Sequence, residues 1–188
     1  SSKKSIISTA TKALQDQLYH RDIPVLNDSI ASVKSIALLK GRQNYLCIYR
    51  MNKSFGDPRL DMSNQRLLGN TSKWAKQTVN GDLDELKILE DGSSLKSFIT
   101  STAENCLGAD CPDFSNCYVV KARKEATAAD VVVVNHHLLF ADIELKESGF
   151  AELLPDADIV VLDEAHKVPD IASLFFSRSI SCLLYTSD

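Results

Sequence analysis

The run Val131–Val134, four consecutive valines in "ADVVVVNHHLL", constrains the fold more than any other stretch of this chain. An uninterrupted β-branched run reads as a strand buried on both faces, which is the environment of a parallel sheet covered by helices. "ADIVVLDEAH" repeats that design at residues 159–162, and "SIIST" at residues 5–9 supplies a third strand. Between them lie helical patterns. "TKALQDQLYHR" places Leu14 and Leu18 one turn apart, with Thr9 or Thr11 available as N-cap, and "FSNCYVVKARKEATAAD" suits a second helix. Strands alternating with helices predict an α/β core with a parallel sheet.

"SIALLKGRQNYLC" predicts one further short strand ending at Gly41. From about Met51 to Thr102 the periodicity loosens into turn-rich pieces ("NKSFGDPRLDMSN", "NGDLDE", "EDGSS") joined by short helices, which reads as an insertion. A length of 188 residues accommodates one main domain plus such an insertion. No apolar run approaches the roughly 18 residues needed to cross a bilayer. The start of the sequence lacks the pattern of a secretory signal, so a reducing cytoplasmic setting is expected. The net charge of −4 gives no general attraction to polyanions, so any such contact must be local.

The last strand ends at Leu162 and is followed at once by Asp163 and Glu164. Ligands of open parallel sheets bind beyond the carboxyl ends of the strands, so both acids stand where chemistry is done. Asp163 suits a Mg²⁺ ion held through its water shell, Glu164 suits activation of a water for attack on a γ-phosphate, and His166 suits sensing of the nucleotide. The plainer reading is that the acids cap a helix over "KVPDIASLFF". Asp-Glu-Ala-His arises by chance in a chain this long about once in a thousand, which favours the nucleotide site.

Three cysteines crowd into "NCLGADCPDFSNC", and Cys47 lies far upstream. Cys106 and Cys111 have four residues between them, and Cys111 and Cys117 have five. Zinc sites favour tighter pairs, whereas a [4Fe–4S] cube takes one thiolate on each of four irons and suits wider spacing. Spacing alone leaves cluster, zinc and free thiols open. Lys121, Arg123 and Lys124 after the cysteines, with Lys40 and Arg42 before Cys47, read either as a channel lining for nucleic acid or as a solvated face. Asn135, His136 and His137 are expected at the end of the valine strand, where neighbours alternate faces and do not chelate one ion.

Asp-Glu-Ala-His is the Walker B string of DEAH-type helicases. Together with "IISTATKALQDQL", "LLKGRQNYLC", the cysteine group, "VVVVNHHLLFAD", "KESGFAELLPDADIVVLDEAH" and "PDIAS", it resembles the bacterial DinG/YoaA-type DNA helicases, relatives of the eukaryotic XPD helicase, over about residues 3 to 180. The resemblance implies a RecA-like first motor domain at residues 1–44 and 121–188, interrupted by a mostly helical iron–sulfur insertion at residues 45–120. It implies a [4Fe–4S] cluster on Cys47, Cys106, Cys111 and Cys117, and ATP with Mg²⁺ at Asp163, Glu164 and His166. "STATK" resembles motif Ia, so Thr9, Thr11 and Lys12 are expected against the sugar-phosphate backbone of single-stranded or forked DNA. A monomeric helicase moving 5′ to 3′ in DNA repair or replication, alongside partner proteins of those processes, is also implied. No Gly-x-x-x-x-Gly-Lys-[Ser/Thr] occurs. The resemblance places that loop upstream of Ser1, so this polypeptide alone is expected to be inactive. Cys182 falls outside the set, and "SCLLYTSD" departs from the family pattern. Two rival readings are a cluster-bearing single-stranded DNA clamp without motor activity and a zinc-stabilised nuclease or scaffold.

Overall fold

The structure is a computed structural model that describes residues 3–30, 35–90, 92–149 and 153–176. In chain order its elements are β1 (Ser5–Thr9), α1 (Lys12–Gln17), α2 (Ile23–Ile30), β2 (Ile36–Leu38), α3 (Ile48–Ser54) and α4 (Met62–Ala75). They continue with α5 (Lys96–Ile99), α6 (Tyr118–Ala128), β3 (Val131–Asn135), α7 (His136–Ser148), β4 (Ile159–Leu162) and α8 (Val168–Phe176). A π-helical turn, Leu18–Asp22, joins α1 to α2. The chain divides into two compact units, Ser1–Ile36 with Asp130–Asp188, and Ala37–Ala129. No helix among the described residues is long and apolar enough to cross a membrane. Cys182 and the "SCLLYTSD" tail lie outside the described residues.

The strands form a four-stranded, all-parallel sheet in the order β2-β3-β1-β4, as the valine run predicts for an α/β fold. Register is set by Ser5 opposite Val131 on one side of β1 and Ser5 opposite Ile159 on the other. β3 lies inside the sheet, and Val132, Val133 and Val134 are fully buried. β4 departs from the sequence expectation of a second strand buried on both faces. Ile159, Val160, Val161 and Leu162 are 41–50% exposed, because β4 forms the sheet edge and only β1 pairs with it among the described residues. An apolar run encodes a preference for cover and does not encode the neighbour that provides it. The two histidines also differ from expectation: the strand stops at Asn135, whose side-chain oxygen accepts the Leu138 N–H at 2.8 Å and starts α7, so His136 and His137 are helical.

The second unit is entered and left through one neck. The Ser35 carbonyl accepts both the Asp130 and Val131 N–H groups at 3.1 Å, and the Asp130 carboxylate accepts the Ser35 N–H and hydroxyl. Within this unit α4, 14 residues long, exceeds the short helices expected there, because the Asp61 carboxylate caps it by accepting the Asn64 N–H at 2.7 Å. Leu46, Leu68, Leu83, Leu95 and Ile99 form the core. Lys40, read from sequence either as a channel lining for nucleic acid or as part of a solvated face, is instead 3% exposed, with its ammonium 2.7 Å from Asp82 and 3.0 Å from Asp84. Its stem and charge are consumed inside the unit.

Candidate functional site

Two groupings hold the chemistry-bearing residues, one in each unit. In the first unit the acids follow β4. The Asp163 N–H donates to the Ser8 carbonyl at 2.8 Å, which carries the β1–β4 pairing one residue past the strand. The Asp163 carboxylate accepts the Thr9 hydroxyl at 3.1 Å, and its carbonyl lies 2.9 Å from His136 Nε2. A carbonyl only accepts, so Nε2 carries the hydrogen and Nδ1 receives the Ser8 hydroxyl at 2.7 Å. Burial is the main cause that holds His136 below the ordinary imidazole range, against the opposing pull of Asp163, so the ring is neutral.

Glu164 sits in the left-handed region at φ 51° and ψ 42°, the only non-glycine at positive φ among the described residues. Such a conformation costs a β-carbon residue about 1–3 kcal/mol and persists only where the surroundings enforce it. Here the bonds on Asp163 precede it, and the Lys167 N–H donates to the Glu164 carbonyl at 2.9 Å. The Glu164 side chain is exposed, with His166 Nδ1 3.4 Å from its Oε2. Thr11 is exposed and caps α1 by accepting the Leu14 N–H at 3.2 Å, and Lys12 follows in its first turn. Thr9 is fully buried, and its hydroxyl is directed to Asp163. Ser8 and His136 were not singled out from sequence for this site; the available signals were a hydroxyl beside Thr9 and a histidine directly after a buried strand.

In the second unit Cys47, Cys106, Cys111 and Cys117 line one cavity of about 330 Å³, together with Arg42, Tyr49, Arg50, Phe114 and Arg123. All four are free thiols. Cys47 and Cys117 immediately precede α3 and α6, and Cys111 follows the 3₁₀ turn Gly108–Asp110. The Cys106 sulfur accepts the Gly108 N–H at 3.5 Å. The Cys47 thiol is pushed up, chiefly by burial and further by the other three cysteines, against the backbone N–H of Arg50. The distant cysteine thus joins the other three. No group of three or more His, Cys, Asp or Glu among the described residues is close enough to hold a single metal ion.

No protein-family model matches the chain. It is 50% identical, over 182 residues and 95% of its length, to the ATP-dependent DNA helicase YoaA of Escherichia coli (strain K12). It is 50% identical over 180 residues to the YoaA helicase of Haemophilus influenzae, again across 95% of its length, and 39% identical over 184 residues, 88% of its length, to the ATP-dependent helicase DinG of Mycobacterium tuberculosis (strain ATCC 25618 / H37Rv). Over nearly its whole length the chain is similar to one segment of the YoaA and DinG helicases. It spans only about 28% of the length of these YoaA relatives and 27% of DinG. Its four-stranded parallel sheet and left-handed acid turn are therefore features of one segment of a YoaA/DinG-type sequence.

Proposed function

We propose that the chain is the portion of an ATP-dependent, 5′ to 3′ DNA helicase that carries the Walker B acids, a DNA-gripping turn and a [4Fe–4S] cluster, working in the cytoplasm on single-stranded or forked DNA during repair or replication. Asp163 carries the reading. A carboxylate held at its N–H, carbonyl and one oxygen, at the carboxyl end of a parallel strand, suits a hard cation that demands fixed geometry and keeps several waters. Asp163 would hold Mg²⁺, Glu164 would orient and deprotonate the attacking water, and His166, whose Nδ1 lies 3.4 Å from Glu164 Oε2, would report the nucleotide state. Thr11 and Lys12 offer a hydroxyl and an ammonium to DNA phosphates, and buried Thr9 contributes through Asp163.

The cysteine cavity fits the cluster by its chemistry. Cys47, Cys106, Cys111 and Cys117 are free thiols lining one cavity, and a four-iron cube takes one thiolate on each of its irons. Arg50, which lines that space, has a buried Nε–H without an acceptor among the described residues, and a thiolate or sulfide would satisfy it. When bound, the cluster supplies a rigid inorganic cross-link between α3, the Cys106–Cys111 loop and α6. With no Gly-x-x-x-x-Gly-Lys-[Ser/Thr] in its 188 residues, the isolated polypeptide hydrolyses no ATP.

Two measurements test this. In the full-length helicase Glu164→Gln should lower ATP turnover by roughly 10²- to 10⁴-fold while single-stranded DNA binding persists; unaltered turnover would refute the motor reading and favour a DNA clamp. Anaerobically purified protein should contain equimolar iron and labile sulfide, and stoichiometric zinc in their place would refute the cluster.

A further inference from the structure

His136 has no part in the chemistry described so far, yet it is fully buried and makes two directional bonds to the site. Its Nε2–H fixes the Asp163 carbonyl, which belongs to the peptide plane leading into the left-handed Glu164. Its Nδ1 is fixed in turn by the Ser8 hydroxyl, and the Ser8 carbonyl also takes the Asp163 N–H. His136 thus holds the carbonyl edge of the Asp163–Glu164 peptide plane while Ser8 holds the plane before it through the Asp163 N–H, and a residue in a sparsely populated backbone region needs such enforcement.

We propose that His136 is a positioning residue for ATP hydrolysis: it sets the Asp163–Glu164 peptide plane, aims the Glu164 carboxylate, and through Ser8 ties that aim to the end of β1, whose following turn carries Thr11 and Lys12. The inference rests on the nucleotide reading of Asp163 and Glu164 and adds a residue to it. Through this link a shift of the β1 end on DNA binding reaches the catalytic carboxylate without passing through the nucleotide.

The test uses side-chain reach. In the full-length helicase His136→Gln places an amide N–H near the position of Nε2 and keeps the bond to Asp163, whereas His136→Asn reaches only as far as Nδ1 and loses it. His136→Asn should lower DNA-stimulated kcat by roughly 10- to 100-fold with the KM for ATP little changed, and His136→Gln should restore most of it. Equal losses in the two variants, or none in His136→Asn, overturn the inference. Should His136→Asn fail to fold, Ser8→Ala carries the test, because it leaves the imidazole in place. It should lower kcat by roughly 3- to 10-fold in protein that stays folded at the assay temperature, and an unchanged kcat overturns the link. Absence of DNA-stimulated turnover in the wild type would sink the helicase reading itself, and this inference with it.

Discussion

Replacing Gly81 by alanine should unfold the cysteine-bearing unit far more readily, and the structure shows why. Gly81 stands at φ +64°, and a β-carbon there would lie 2.3 Å from Cγ and Cδ2 of Tyr118 and 2.7 Å from its Cδ1. The ring has little freedom to yield. It is 6% exposed, and its hydroxyl donates to the Ala75 carbonyl at 3.1 Å. The left-handed backbone alone costs an alanine about 1–2 kcal/mol. Forcing a methyl into a packed ring adds about 1–3 kcal/mol. The sum, about 2–5 kcal/mol, is a large share of what holds a domain of this size together. Gly69 is the internal control. It sits inside α4 with nothing within 4 Å of its built β-carbon, so Gly69→Ala should stabilise by about 0.5–1 kcal/mol. Trp74, the single tryptophan of the chain, lies at the end of α4 and reports this unit by fluorescence. In urea the Gly81→Ala midpoint should fall by roughly 1–2 M, and that of Gly69→Ala should rise slightly. A Gly81→Ala midpoint within experimental scatter of the wild type would refute the reasoning. The strain also reaches the cysteines, since the Gly81 carbonyl accepts the Leu46 N–H at 2.8 Å, one residue before Cys47.

Lys40→Ala leaves the Asp82 and Asp84 carboxylates without their cation and should destabilise by about 3 kcal/mol, toward the low end for a buried pair because Asp84 is partly exposed; Lys40→Met with Asp82→Asn should recover part of that in urea unfolding. Tyr45 is pushed up to about 12, mainly by burial, with its oxygen accepting the Lys40 N–H at 3.0 Å. The folded state therefore keeps a proton that the unfolded chain loses near pH 10, so this contribution is complete below pH 10 and drains away as pH rises through 12, by roughly 2–3 kcal/mol in total. Urea titrations at pH 9 to 12 should show that decline, and Tyr45→Phe should flatten it.

The sheet was legible because its strands are short, apolar and β-branched: Ser5–Thr9 and Ile159–Leu162 fall where periodicity puts them, and Val131–Asn135 extends the expected strand by one residue. What escaped the sequence are the partners each residue finds across the chain. Thr9 and Asp163 are 154 positions apart, and no local pattern says that a hydroxyl in "STATK" turns inward to a carboxylate. Lys40 looked like a solvated cation because its counter-charges lie more than forty residues away. His136 was expected at the end of the strand because the apolar run leads up to it, whereas a single Asn135 side chain caps a helix that begins there. α4 was underestimated because Gly69 and a polar sequence dilute its helical pattern, while the cap at Asp61 that sustains it is one residue. The four cysteines were grouped from the resemblance, and spacing alone had left zinc and free thiols in play.

The clasp between Ser35 and Asp130 bears on how such a chain is assembled. With Ser35 bonded to Asp130 at the two ends of the Ala37–Ala129 excursion, a flexible insertion in one of its turns alters the closure entropy only logarithmically, about 0.6 kcal/mol per doubling of the loop. A lineage can therefore lengthen or trim those turns at little thermodynamic penalty to the strands that carry the acids, provided the two residues of the staple survive.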